Sequence, residues 1–131
     1  MLTVIKEFED EYAFLSNMYP CEIVDNNTGC TFHSAEALFQ AYKTHDLTLR
    51  AQFALLSGAD AQRLAGKIRV RLDWEKVKYA VMYHVLHLKF SQNPALKEQL
   101  LDTDDALLVN EVNDLGRLLM NLRDELASEK V

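Results

Sequence analysis
HSAEALFQAYK, residues 33–43, reads as a short helix that is buried on most of its sides. Ser34 suits its N-cap, because a serine hydroxyl can accept from an otherwise unpaired amide of the first turn. Ala35, Ala37, Leu38, Phe39, Ala41 and Tyr42 are nearly all apolar, whereas an ordinary surface helix keeps one side polar. Glu36, Gln40 and Lys43 stand at i, i+4 and i+7 and so share one face. The helix therefore carries a thin polar seam, and buried polar groups need partners or a purpose. Glu36 is a candidate general base or stabiliser of a cationic transition state. Lys43 is a candidate anion binder or amine nucleophile. The two lie about 10 Å apart along the axis, a span that a nucleotide-sized ligand covers. The plainer reading is a glutamate favoured by the helix dipole and a solvated lysine.

Before this helix the chain reads as β. Leu2 to Phe8 alternates loosely, Cys21 to Val24 is β-prone, and Asp25-Asn26-Asn27-Thr28-Gly29 is a turn signal ahead of Cys30-Thr31-Phe32. AFLSNMYPC, residues 13–21, is irregular. After the helix the chain reads as helix after helix. The expected spans are Asp46 to Leu56, Asp60 to Ala65 ending at Gly66, a long helix capped by Asp73, a fifth opening at Asn93-Pro94, and a short piece from Asp104 to Val109. The long helix has a core stripe of Trp74, Val77, Val81, Val85 and Leu88. The last helix carries Leu115, Leu118, Leu119, Leu122 and Leu126. The expected class is α+β: one mainly α-helical domain over residues 1–131, with a small N-terminal antiparallel β-sheet.

The chain has 131 residues, 49 % of them hydrophobic, and a formal net charge of −6. That length fits one domain with a real core. The acidic balance argues against holding bulk nucleic acid by counterion release, although a local basic patch can still bind one anionic molecule. No apolar run approaches the roughly 20 residues of a membrane span, and the N-terminus has no signal-peptide pattern, so a cytoplasmic location is expected. Cys21 and Cys30 are expected to stay reduced. The four histidines, His33, His45, His84 and His87, show no Cys/His ligand spacing, so no metal site is expected. His84 and His87 fit packing roles.

Three further segments could carry chemistry. In Lys67-Ile68-Arg69-Val70-Arg71-Leu72-Asp73-Trp74, basic and apolar residues alternate; extended, Lys67, Arg69 and Arg71 would line one side and offer a phosphate site at a helix N-terminus. Its plainer reading is solvated charges, Asp73 as N-cap and Trp74 in the core. Ser16 and Asn17 lie in a loop where they can bond a ligand or turn backbone. Asp102-Thr103-Asp104-Asp105, and Asn113-Asp114 ahead of Gly116, look like caps.

FLSNMYPCEI, SAEALFQAYK, RLDWEKVKYAVM, LKFSQNPALKEQLLDT and LGRLLMNLR occur in this order from about Phe8 to Arg123. Together they resemble the YbiA-like, or NADAR, family. The resemblance implies a compact, mainly α fold that cleaves N-glycosidic bonds. It implies, as substrate, a phosphoribosylamino-pyrimidine intermediate of riboflavin synthesis or an ADP-ribosylated guanine. The partners implied are a small phosphoribosyl or ADP-ribosyl molecule or ADP-ribosylated nucleic acid, with no membrane and no cofactor. Carried over residue by residue, Glu36 and Lys43 are the candidate catalytic residues. Asn17, Gln40, Arg69, Arg71, Asp73, Trp74, Asp105 and Asn113 are the candidate substrate-binding residues. Thr103 with Asp105 matches a TGD-like element, and Asn113 with Gly116 an NxLG-like one. Two departures stand out. Ala37 replaces a histidine common after the glutamate, and a glycine-rich loop of roughly fifteen residues is missing before Asn113. An alternative therefore stays open, a non-catalytic module that binds ADP-ribose or a nucleotide.

Overall fold
The computed structural model describes residues 3–110 and 114–129. Ser34 does cap the first helix. Its hydroxyl accepts from the Ala37 amide at 3.1 Å, and α1 runs Ala35–Ala41. Every residue of α1 except Phe39 is buried, including Glu36 and Gln40. The chain enters α1 from an antiparallel hairpin, β2 (Pro20–Asp25) and β3 (Cys30–Ser34). Ile23 pairs with Phe32, and both are fully buried. The hairpin turn is tied to the end of α1. Asp25 accepts from Thr28 Oγ1 at 2.9 Å and from the Tyr42 hydroxyl at 2.9 Å, and Asn27 donates to the same hydroxyl at 3.0 Å.

Around α1 lie α2 (Leu47–Phe53), α3 (Gly58–Ala65) and the long α4 (Trp74–Gln92). α5 (Pro94–Asp102) and α6 (Leu115–Ser128) cover the other side of α4. α4 thus stands between two apolar clusters. One joins Ile23, Phe32, Leu38, Phe53 and Val85; the other joins Leu15, Leu86, Phe90, Leu100, Leu108, Leu119 and Leu122. The five leucines expected on the core face of α6 are all buried. Truncating one fully buried leucine of this kind to alanine costs about 2–5 kcal/mol.

The structure corrects several expectations. Residues 104–109 are not helical. Asp104 takes a left-handed backbone (φ 55°), which breaks off α5, and Leu107–Leu108 form β4. β4 pairs in parallel with β1 (Val4–Ile5), which is all of the expected Leu2–Phe8 strand that forms among the described residues, so the structure has a second, parallel pair besides the hairpin. α3 starts at Gly58, two residues before the expected Asp60, because Ser57 caps it: its hydroxyl accepts from the Asp60 amide at 3.2 Å. The irregular stretch before Pro20 contains a 3-10 helix, Asp10–Leu15. Residues 67–72 form no strand, and their apolar side does not face the core: Ile68 packs inward, but Leu72 is 99 % exposed. His84 is exposed, not part of the core stripe. Cys21 and Cys30 are free thiols. Among the described residues no helix is long and apolar enough to cross a membrane.

Candidate active-site cleft
A cleft of about 410 Å³ opens where α1, α3, α4, the start of α6 and the turn after the 3-10 helix meet. Glu36 and Gln40 contribute the polar seam of α1, Ser16 and Asn17 the turn, Gln62 comes from α3, Met82 from α4 and Leu115 from α6. The turn is fastened to α1 through its backbone: the Glu36 amide donates to the Asn17 carbonyl at 2.9 Å. Glu36 is only 8 % exposed. Gln62 Nε2 donates to its Oε2 at 3.2 Å, and Oε1 has no partner among the described residues. α3 can bring Gln62 this near because small residues face α1. A Cβ on Gly58 would lie 3.2 Å from Glu36 Cβ and 2.9 Å from Met18 Sδ.

Two further polar atoms at the cleft lack partners. Asn17 and Gln40 are each 7 % exposed, and Asn17 Oδ1 and Gln40 Oε1 are buried without a hydrogen bond. The Asn17 amide is oriented by Met82, whose sulfur accepts from Nδ2 at 3.1 Å. A thioether accepts but does not donate, so the carbonyl end of the amide is the one left over. Leaving a buried acceptor unpaired costs about 1–3 kcal/mol, and such a cost persists where a ligand completes the network.

Lys43 lies just past α1 rather than on it. The last turn tightens, with the Lys43 amide donating to Gln40 O at 3.1 Å, three residues back. Lys43 therefore leaves the Glu36–Gln40 line and sets its Nζ over the Trp74 ring, 5.8 Å from the centroid. Trp74 in turn packs against Phe39, a lining residue of the cleft, at 5.1 Å between centroids. This strip continues to Arg71, whose amide donates to Lys43 O at 2.8 Å. The guanidinium is not a free cation. Its Nε and Nη2 donate to the two oxygens of Asp73 at 2.6 and 2.9 Å. These bonds, ahead of the Coulombic attraction, hold the Asp73 carboxyl down to about 2. Asp73 makes no side-chain cap to α4; its backbone is not extended as capping requires, and its carboxylate belongs to Arg71.

Other expected site residues lie elsewhere. Arg69 and Lys67 are exposed, and Lys67 borders the groove between α2 and α3. Asp105 is exposed and lines a different cleft with Tyr12, Phe14 and Gln99. Thr103 donates to Leu100 O at 2.6 Å and accepts from Arg123 at 2.9 Å, a helix-end role. Asn113 lies outside the described residues. Gly116 is at a close contact: a Cβ there would lie 2.1 Å from Leu108 O. Away from the cleft, the ligating atoms of His87 on α4, of the exposed Glu125 on α6 and of the exposed Glu129 at its C-cap lie within 4.8 Å of one another.

The sequence reading passed over Met18, Gln62, Met82 and Lys89. The spacing of Gly58, Ala61 and Ala65 was a usable signal for Gln62, because small residues at helical intervals let two helices approach closely. Lys89 carried no such signal. It is 0 % exposed, and burial pulls its ammonium down to about 8.

The model of the NADAR domain family matches residues 4–112. The chain is 33 % identical to N-glycosidase YbiA of Escherichia coli (strain K12), over 92 % of this chain and 86 % of that protein. It is also 33 % identical to riboflavin biosynthesis protein VVA0006 of Vibrio vulnificus (strain YJ016), over 92 % of this chain but only 37 % of that longer protein. The NMR structure of the E. coli protein YbiA superposes with a TM-score of 0.87, covering 99 % of this chain and 89 % of that one, at 33 % identity.

Proposed function
Because the chain belongs to the NADAR domain family, we propose that its cleft is the active site of an N-glycosidase that hydrolyses the bond between C1′ of a ribose and the nitrogen of a base. The observation that carries this reading is the buried Glu36 carboxylate beside the Asn17 and Gln40 carbonyls, which are unsatisfied among the described residues. Breaking a C1′–N bond builds oxocarbenium character at C1′. A fixed carboxylate stabilises that charge and orients the water that adds to C1′; the bonding electrons leave with the base nitrogen, and the proton that the water sheds ends on that nitrogen. Glu36 suits this role because Gln62 and the packing of α1 fix it in place. Asn17 and Gln40 supply acceptors for sugar hydroxyls or base N–H groups.

Lys43 has a second option. As an amine it can condense with the aldehyde of a ring-opened ribose, although its position over Trp74 suits an anion as well. Arg71 would meet a phosphate or diphosphate while keeping Asp73 as its partner. The substrates that fit are a phosphoribosylamino-pyrimidine of riboflavin synthesis and an ADP-ribosylated guanine, free or in nucleic acid. The shortened segment ahead of Asn113 favours the second reading, a module that binds such a ligand without turning it over.

Product formation by mass spectrometry tests both. The purified protein and Glu36→Gln are incubated with the phosphoribosylamino-pyrimidine and with guanosine-linked ADP-ribose. Release of a free base, slowed about 10²- to 10³-fold in the variant, supports the N-glycosidase and selects its substrate. Binding of either compound without release supports the module, and neither binding nor release refutes both.

A further inference from the structure
Lys89 is the costliest side chain that the proposed chemistry does not use. It is 0 % exposed, in the last turn of α4. The rings of Phe90 and Tyr19 lie 5.1 and 5.8 Å from its Nζ. A methionine would fill the same volume without burying a charge. The ammonium spends that cost on two backbone oxygens, Phe14 O at 2.6 Å and Ser16 O at 3.0 Å. Both belong to the end of the 3-10 helix, Phe14 in its last turn and Ser16 at its C-cap, where the Ser16 carbonyl also accepts from the Tyr19 amide at 3.2 Å. The next residue is Asn17, whose carbonyl receives the Glu36 amide. Asn17 also meets Met82, seven residues before Lys89 on the same face of α4. Two anchors on one helix face thus hold a turn that is bonded to the first turn of α1.

We propose that Lys89 is a positioning residue for Glu36: by gathering the Phe14 and Ser16 carbonyls it fixes the Ser16–Asn17 turn against which the glutamate is set. The consequence for turnover rests on the N-glycosidase reading; the consequence for the turn does not.

The test compares the protein with Lys89→Met, which keeps the packing and removes the donors, and Lys89→Arg, which restores donors. Amide hydrogen exchange is followed at Glu36 and, as a control, at Leu86 and Leu119. Steady-state kinetics use whichever of the two ribosylated compounds the protein hydrolyses. In Lys89→Met the Glu36 amide is expected to exchange at least about tenfold faster, with the control amides within about twofold. The value of kcat is expected to fall about tenfold or more, with KM changed less than about threefold. Lys89→Arg should recover part of the loss. Unchanged exchange at Glu36, or a folded Met variant with kcat within about twofold of the parent, overturns the proposal. So does faster exchange at all three amides together, which makes Lys89 an ordinary core residue. If Lys89→Met does not fold, Lys89→Gln, which can serve one carbonyl at most, takes its place with the same criteria. Should neither compound be hydrolysed, the exchange measurement decides alone.

Discussion

Gly116→Ala adds one methyl group where the structure has no room for it. The new Cβ would lie 2.1 Å from Leu108 O, 2.8 Å from Leu108 C and 3.2 Å from Asn110 N. A carbon and a carbonyl oxygen rest at roughly 3.3 Å or more, so the two backbones must separate by about 1 Å. Neither can do so freely. Leu108 is in the core, and its neighbours tie β4 to β1 through Leu107 N to Thr3 O at 2.8 Å and Val109 N to Ile5 O at 2.9 Å. Opening that ladder forfeits two hydrogen bonds at about 1 kcal/mol each. Moving α6 instead loosens Leu115, Leu118 and Leu119. With the residual strain the cost is about 3 kcal/mol. Unfolding entropy of roughly 2 cal/mol/K per residue turns this into a melting-temperature drop of about 10 °C for a chain of this size. A thermal melt followed by circular dichroism reads it directly. A drop of less than about 2 °C would show that α6 does not press on β4, and would refute the account of why glycine stands there.

Gly58→Ala should behave in the opposite way. The thioether of Met18 can swing aside, so stability changes by less than about 1 kcal/mol, but Glu36 Cβ at 3.2 Å must give; unchanged kcat in a folded variant would count against Glu36 as the catalytic carboxylate. In Arg71→Gln the Asp73 carboxyl, held at about 2, should climb back toward its ordinary 3.8 when titrated by NMR. A depressed carboxylate stabilises the fold above its ordinary pKa and loses that contribution as pH falls through about 2, so the variant should be less stable than the parent at pH 7 and converge with it at pH 2. Trp74 is the only tryptophan, so a phosphate-bearing ligand drawn to Lys43 should change the emission, and Lys43→Ala should weaken binding about tenfold. Calorimetric binding with unaltered emission would place the anion elsewhere.

Periodicity revealed the elements that pack by periodicity. The seam of α1 could be read because apolar residues surround Glu36 and Gln40 at helical spacing, and the leucines of α6 could be read for the same reason. The β1–β4 pair could not, because two residues carry no measurable alternation and their partners stand about a hundred positions apart. Asp104 looked like a helix start and is instead a left-handed stop, a choice set by the descent from α5 into β4. At the site, Asp73 read as a helix cap or a substrate-binding residue, and the backbone angle before α4 rules out the cap while the Arg71 ion pair was not foreseen. Lys89 was invisible because its partners are backbone oxygens, which every residue has, brought near from 75 positions away.

The pairing of Val4 with Leu107 also has a consequence in time. A chain is made from its N-terminus, and local helices and hairpins can form as they emerge. β1 then waits, without a partner, until some hundred further residues have been added. Closing so long a loop for a two-residue ladder brings little return by itself; it becomes favourable only when α6 arrives and seals Leu108 from above. Asn110 and Leu115, which close one wall of the cleft, are set by the same event. The Glu36 side of the site can therefore be in place early in synthesis, while the opposite wall waits for the last helix. The cleft is thus completed in a single late step instead of growing with chain length.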